Sequence, residues 1–203
     1  SLRLSIPGVF NLANALPAYI IGNLLTIPSE QIAFGIESLK NIPGRMELVE
    51  EGQDFTVIID YAHEPASMTA LLDAAEHMRN GMQQGERDES DSAKIILLTG
   101  IIGGGRESRK PLIRIASDRA DALIITNEDP YELDPETAID ELAQTAEESG
   151  RIRGENMFAI FDRREAIGKA LSLAQKGDIV LISGKGAEET MMTKRGPIPW
   201  NER

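Results

Sequence analysis

Apolar and polar positions along the 203 residues follow two different periods. Residues 10–25, "FNLANALPAYIIGNLL", are dominated by apolar side chains. In 28–40, "PSEQIAFGIESLK", Ile32, Ile36 and Leu39 recur at helical spacing, which predicts two helices with Ser29 as the N-cap of the second. No strand separates them. After "NIPGRMELVE" at 41–50 the pattern changes. The β-rich runs "FTVIID", "AKIILLTG", "DALIIT", "NMFAIF" and "GDIVLISG" now alternate with helical segments at 65–79, 110–119, 135–149 and 163–175. Such alternation predicts an α/β fold, with a mostly parallel sheet covered by helices on both faces.

The change of period sets a boundary near residues 44–49. Residues 1–46 form a short helical segment, and 47–203 form a Rossmann-like sheet domain. Two helices cannot enclose a core, so the first part is expected to be the end of a preceding domain or an appendage packed on the sheet domain, and residue 1 is expected to lie within a longer protein. Residues 80–93, "NGMQQGERDESDSA", read as a solvated, mobile loop.

Charge and composition narrow the partners. Lys and Arg number 21 against 33 Asp and Glu, a formal charge of −12 that repels nucleic-acid phosphates. The five Phe, three Tyr and one Trp form no stacking platform among basic residues, so nucleic acid is not expected as a ligand. With no cysteine there are no disulfides or thiolate metal sites. No stretch resembles a signal peptide or reaches membrane-spanning length, and a cytoplasmic location is expected.

Unusual residues concentrate where strands end, which is the binding rim of open α/β sheets. "VIIDYAHEP" delivers Asp60, Tyr61 and His63 into the turn that opens a helix, where Asp60 or His63 could equally satisfy main-chain donors. "LLTGIIGGGRESRKP" supplies Gly100 and Gly103 to Gly105, followed by Arg106, Arg109 and Lys110. Glycines and cations before a helix favour an anion, although the spacing matches neither a dinucleotide fingerprint nor a Walker A loop, and a flexible loop with solvated charges remains open. "ITNEDPYELDP" brings Asn127, Glu128, Asp129 and Tyr131 to the same rim before Asp134 and Pro135 start a helix. In "LISGKGAEE", Gly184 and Gly186 flank Lys185, and Glu188 follows a turn later. Main-chain amides there can hold a carboxylate while Glu188 takes an ammonium, against the plainer reading of a tight turn with a surface lysine. Together these ends favour a small anionic and zwitterionic ligand.

In order along the chain, "GVFNLANALPA", "NIPGRME", "VIIDYAHEP", "GGGRESRKP", "TNEDPYELDP", "DRREAI" and "GDIVLISGKGAEE" resemble the Mur ligase family, in particular its UDP-N-acetylmuramoyl-tripeptide synthetases. The resemblance runs from about Gly8 to Glu189. It implies that residues 1–46 are the last helices of a central ATP-binding domain and 47–203 the C-terminal domain. The family's P-loop, modified lysine and Mg²⁺-binding carboxylate would lie upstream. The implied chemistry uses ATP to phosphorylate the D-glutamyl carboxylate of UDP-MurNAc-L-Ala-D-Glu, and the amine of a free amino acid then displaces phosphate. By the same resemblance Asn11 and Asn14 meet the nucleotide, Arg45 approaches its phosphates as the catalytic cation, Asp60 accepts from the ribose hydroxyls and His63 lies beside the nucleotide. Arg106, the turn of Glu128, Asp129, Pro130 and Tyr131, Gly184 and Glu188 would meet the amino acid. No metal ligand is expected within the chain, which is expected to act as a monomer.

Two departures stand out. Synthetases that add meso-diaminopimelate carry an Arg after Asp-Asn-Pro, whereas this chain has Tyr131, so a fork for the distal carboxylate is missing and a basic diamino acid such as lysine or ornithine is favoured. Ala187 stands where a His is common in "GKGHE". Two alternatives stay open: a related amide ligase of the folylpolyglutamate or cyanophycin synthetase kind, and a non-catalytic binding module.

Overall fold

The computed structural model describes residues 2–82, 93–102, 109–129, 131 and 134–203. Two helices come first, α1 (Phe10–Leu24) and α2 (Ser29–Ser38). The sheet domain then runs β1 (Glu47–Val49), β2 (Thr56–Asp60), α3 (Pro65–Met82), β3 (Ile95–Ile102), α4 (Arg109–Arg119), β4 (Ala122–Asp129), α5 (Pro135–Glu148), β5 (Met157–Ile160), α6 (Arg163–Leu173) and β6 (Ile179–Ser183). A hairpin of β7 (Thr190–Thr193) and β8 (Gly196–Pro199) follows.

Six strands form one sheet in the order β1-β2-β6-β3-β4-β5, parallel throughout except for the antiparallel edge strand β1. Side-chain alternation divides the core in two. Ile58, Leu97, Ile125 and Leu181 pack with Met68, Leu72, Leu112, Ile113, Leu142 and Ala143 of α3, α4 and α5. Val57, Ile59, Leu98, Ile124 and Val180 face the opposite way, onto Ala166 and Ala170 of α6. Burial on both faces is why these strands read as continuous apolar runs. The parallel order also brings the carboxyl ends of β2, β6, β3 and β4 side by side, with Asp60 opposite Ser183 and Ile102 opposite Asp129.

Several sequence expectations need correction. Ser29 is the first residue of α2 rather than its cap; Pro28 occupies the cap position, and no side chain bonds there. The edge strand β1 was not expected, because three residues are too short to show a period. The β7–β8 hairpin escaped for a different reason: Pro197 and Pro199 lie within β8, where they are tolerated only because it is an edge. α3 extends through Met82, into the segment read as a loop, while 83–92 lie outside the described residues. Asp134 does cap α5, accepting from the Thr137 amide.

The leading helices pack on each other, with Ile32 of α2 set against Gly22 of α1 so closely that a Cβ there would lie 2.8 Å from its side chain. Ile6 and Phe10 anchor this segment to the sheet-domain core. Much of the remaining apolar surface is open, with Leu24 77% and Phe34 75% exposed. Among the described residues no helix is long and apolar enough to cross a membrane.

Candidate active site at the carboxyl ends of the central strands

The turn after β2 is tied to the linker that precedes β1. Asp60 Oδ2 accepts from the Met46 amide at 2.8 Å, and Oδ1 accepts from the Ala62 amide at 2.8 Å. Asp60 therefore satisfies main-chain donors, as the plainer sequence reading allowed. The Tyr61 amide also bonds to this carboxyl, so of a carboxylate's roughly four acceptor positions about one remains for another donor. Burial raises the Asp60 carboxyl above its ordinary range, against the pull of these amides and Arg45. Met46 itself has φ +47° and is 2% exposed, a left-handed conformation held in place by the Asp60 bond. Replacing Asp60 by alanine leaves two buried amides without their acceptor and is expected to cost this chain about 2 kcal/mol of stability. Urea denaturation checks this, and a loss below about 0.5 kcal/mol would contradict the tethering role.

Gly44, with φ +65°, lets the linker press onto the loop after β6. A Cβ there would overlap the Ala187 amide nitrogen and the Gly186 carbonyl carbon. Its own amide donates to Glu47 Oε2 at 2.7 Å. The Arg45 guanidinium lies 4.7 Å over the Tyr61 ring and forms no ion pair among the described residues. The His63 ring meets Tyr61 edge-on at 4.8 Å, and its Nδ1 lies 2.7 Å from the Tyr61 carbonyl oxygen.

β4 continues three residues beyond the run "DALIIT", so Asn127, Glu128 and Asp129 are buried strand residues that alternate in direction. Glu128 lies against Gly100 and Gly184, whose missing side chains make room for its carboxyl group. Neither of its oxygens accepts a hydrogen bond among the described residues, and Arg109 Nη2 lies 3.8 Å from Oε2. Desolvation raises its carboxyl above the ordinary range, with Arg163, Arg109 and His63 pulling the other way.

Asp129 and Glu188 share an internal partner. Lys185, 1% exposed, places Nζ 3.0 Å from both Asp129 oxygens and against Glu188 Oε2. Asp129 Oδ1 also accepts from the Met192 amide at 2.7 Å, which docks the β7–β8 hairpin on this corner. Tyr61 Oη donates to Glu188 Oε1 at 2.6 Å. Burial pushes the Glu188 carboxyl up, but the bonds from Lys185 and Tyr61 outweigh it and leave it below its usual range. Lys185 is thus no surface lysine. The ammonium that Glu188 takes here is its own chain's.

Beneath this floor, Arg163 at the start of α6 is wholly buried. It pairs with Glu202 through Nε at 2.9 Å and through Nη2, and Nη2 also donates to the Ser183 carbonyl at 2.8 Å. Nη1 reaches the Asn127 carbonyl at 3.4 Å. Arg203 Nε then meets Glu47 Oε1 at 2.9 Å, so the tail connects the linker to the carbonyls just before Glu128 and Gly184. Among the described residues no group of three or more His, Asp or Glu is placed to hold a metal. Asp129 and Glu188, the acidic pair best placed, are engaged by Lys185, so these residues do not fit Mg²⁺ as they stand.

The description "Mur ligase, glutamate ligase domain" matches residues 44–186. The chain belongs to the Mur ligase family. It is 35% identical over 201 residues to the UDP-N-acetylmuramyl-tripeptide synthetase of Roseiflexus sp. (strain RS-1), covering 98% of this chain and 37% of that protein. It is 34% identical over 188 residues to the UDP-N-acetylmuramoyl-L-alanyl-D-glutamate--2,6-diaminopimelate ligase of Fusobacterium nucleatum, covering 92% and 36%. Among solved structures, the Mycobacterium tuberculosis folylpolyglutamate synthase complexed with ADP superposes with a TM-score of 0.65 at 20% identity, over 90% of this chain and 39% of that one. The chain spans a little over a third of the length of these relatives.

Within this Mur ligase domain, the fold brings together Arg45, Asp60, His63, Glu128, Asp129, Gly184 and Glu188. Asn11 and Asn14 line a different place, a groove of about 470 Å³ between α1 and α2. There Asn11 Nδ2 donates to the Pro7 carbonyl, and Asn14 Nδ2 donates to Asn11 Oδ1 at 3.0 Å. Tyr131 occupies a turn with φ +48° and is 43% exposed. Arg106 and Pro130 lie outside the described residues. Sequence reasoning missed the Lys185 bridge and the Arg163–Glu202 pair. "DRREAI" and "GKG" carried the basic residues, but their partners are 39 and 56 positions away.

Proposed function

We propose that this chain is the C-terminal part of an ATP-dependent amide ligase of peptidoglycan synthesis that adds the third amino acid, a basic diamino acid, to UDP-MurNAc-L-Ala-D-Glu. One observation carries the reading furthest: in a Mur ligase domain, the linker cation Arg45 and the acidic Glu188 meet across a single side chain, Tyr61. In the proposed reaction a carboxylate oxygen takes the γ-phosphoryl group of ATP, leaving ADP. The amino-acid nitrogen then bonds to the acyl carbon, loses a proton, and the carbon–oxygen bond to phosphate breaks. Catalysis by this part of the protein is positioning and charge stabilisation.

Arg45, already held over Tyr61, would face the phosphates, and the remaining acceptor capacity of Asp60 suits a ribose hydroxyl, with His63 beside it. Mg²⁺, needed for phosphoryl transfer, would be held by residues outside this chain. We assign residues 1–46 to the preceding domain, which the open apolar side chains of α1 and α2 would meet, and 47–203 to the C-terminal domain. Neither part carries a P-loop, so the chain alone is expected to be inactive.

The choice of amino acid rests on residues 128–131. The single Lys185 ammonium offsets one of the two charges of Asp129 and Glu188, so the partly exposed Glu188, with Glu128 behind it, keeps negative charge for a substrate ammonium. Tyr131 offers no fork for a distal carboxylate. Lysine or ornithine is therefore expected to support about tenfold more efficient phosphate release than meso-diaminopimelate in the full-length parent supplied with ATP and UDP-MurNAc-L-Ala-D-Glu, a difference of ~1.4 kcal/mol. Tyr131→Arg is expected to narrow or reverse that ratio. A strong wild-type preference for diaminopimelate would sink the assignment of the amino acid, and phosphate release indifferent to any amino acid would sink the ligase reading.

A further inference from the structure

Tyr61 touches two groups that the proposed reaction assigns to different substrates. Its ring carries the Arg45 guanidinium at 4.7 Å, and its hydroxyl donates to Glu188 Oε1 at 2.6 Å. The ring is also closely confined. A Cβ on Gly186 would come within 2.9 Å of Tyr61 Cδ2 and 3.0 Å of its Cβ, so the loop after β6 can enclose the ring only because that residue is glycine. The His63 edge closes another side at 4.8 Å.

The linker is fixed just as firmly around Arg45. The Gly44 amide is bonded to Glu47, the Met46 amide to Asp60, and Glu47 to Arg203. Glu188 differs, because its side chain is 36% exposed and lies on a loop. Its orientation depends on two donors, Lys185 on Oε2 and Tyr61 on Oε1.

We propose that Tyr61 is a positioning residue that holds the Glu188 carboxylate in its amino-acid-binding orientation and couples that orientation to the seating of the linker Arg45. The inference rests on the ligase reading above. Its physical content is that cation–π attraction and a charge-assisted hydrogen bond act on one rigid ring. Displacing Arg45 frees the ring, and a freed ring releases one of the two constraints on Glu188. The reverse also holds, so an amino acid engaging Glu188 favours the seated linker. The donor persists across the neutral range, because the Glu188 bond, burial and the nearby carboxylates push the Tyr61 hydroxyl up to about 12.

The test uses full-length parent enzyme, saturating ATP and UDP-MurNAc-L-Ala-D-Glu, and whichever of lysine, ornithine and meso-diaminopimelate gives the fastest wild-type phosphate release. Tyr61→Phe keeps the ring under Arg45 and deletes the hydroxyl. It is expected to raise KM for the amino acid about tenfold while leaving KM for ATP within about twofold. The acidic limb of the amino-acid KM should also move to higher pH, since Glu188 loses one of the bonds that keep its carboxyl low. Tyr61→Leu removes the ring as well and should in addition raise KM for ATP and lower kcat. An unchanged amino-acid KM in Tyr61→Phe, or equal rises for both substrates, would overturn the proposal. If wild-type enzyme shows no amino-acid-dependent phosphate release, the ligase reading is what fails. Absorbance titration of the 203-residue chain, with Tyr61 assigned by its loss in Tyr61→Phe, then isolates the contact itself: Glu188→Gln should bring the Tyr61 titration down from about 12, and no movement would overturn the Tyr61–Glu188 bond.

Discussion

Alanine at position 184 is expected to damage both the fold and the site. Gly184 has φ +114°, a conformation that strains any residue with a Cβ, at a cost of about 1–3 kcal/mol. Space is the larger obstacle. A Cβ there would overlap Glu128 Oε1 and lie 2.5 Å from its Cδ, so the Glu128 carboxyl group, in a residue only 1% exposed, would have to be displaced within a closed site. Overpacking of a closed site adds about 1–3 kcal/mol more. Gly184→Ala should therefore lower the unfolding free energy of this chain by roughly 2–6 kcal/mol in urea. In the parent enzyme, displacement of Glu128 should raise KM for the amino acid more than about tenfold. A variant within about 1 kcal/mol of wild type would show that the strand end yields easily and that the fit of Gly184 to Glu128 has no energetic weight.

The difference between what the chain reveals in one dimension and what only folding reveals is clear at this corner. The buried parallel strands announced themselves because both faces need apolar side chains, and the helices between them kept their own period. β1 and the β7–β8 hairpin did not, since a three-residue edge and a strand with two prolines carry no such signature. At the site, the turn of Asp60, the acids at 128 and 129 and the glycine at 184 were legible as polar interruptions of apolar runs, and the fold does set them together. Their internal partners were not legible. A sequence shows that Lys185 lies between two glycines, but not that β4 supplies a carboxylate 56 positions earlier to bury it. That is why the resemblance set Glu128, Asp129 and Glu188 at the amino acid with no partner of their own, where in the folded chain Lys185 engages two of them. The Asn11 and Asn14 pair was read from a resemblance, and within this chain it lines a groove between α1 and α2.

Glu202→Ala is expected to be among the most destabilising single changes in the protein, although the residue lies second from the end of the chain described. Its partner Arg163 has a side chain 0% exposed, and removing the carboxylate would leave that guanidinium buried with the Asn127 and Ser183 carbonyls and the more distant charge of Glu128 to face. Breaking a buried pair in this way costs about 3–5 kcal/mol, much of it the penalty of the stranded charge. The same argument sets the control. In Arg163→Met with Glu202→Leu no charge is stranded, so the double variant should recover much of the stability lost in Glu202→Ala, even though it too lacks the ion pair. Urea unfolding of the wild type, Glu202→Ala and the double variant at neutral pH measures both effects. A Glu202→Ala loss below about 1 kcal/mol would mean that water reaches Arg163 once the carboxylate is gone. The consequence for the site is a second, separable readout. Arg163 holds the carbonyls of Asn127 and Ser183, the residues immediately before Glu128 and Gly184, and so fixes the spacing between β4 and β6 where the amino acid would bind. Methionine cannot donate to either carbonyl. The double variant should accordingly regain stability without regaining amino-acid affinity, which separates the part of the pair that holds the fold from the part that shapes the pocket.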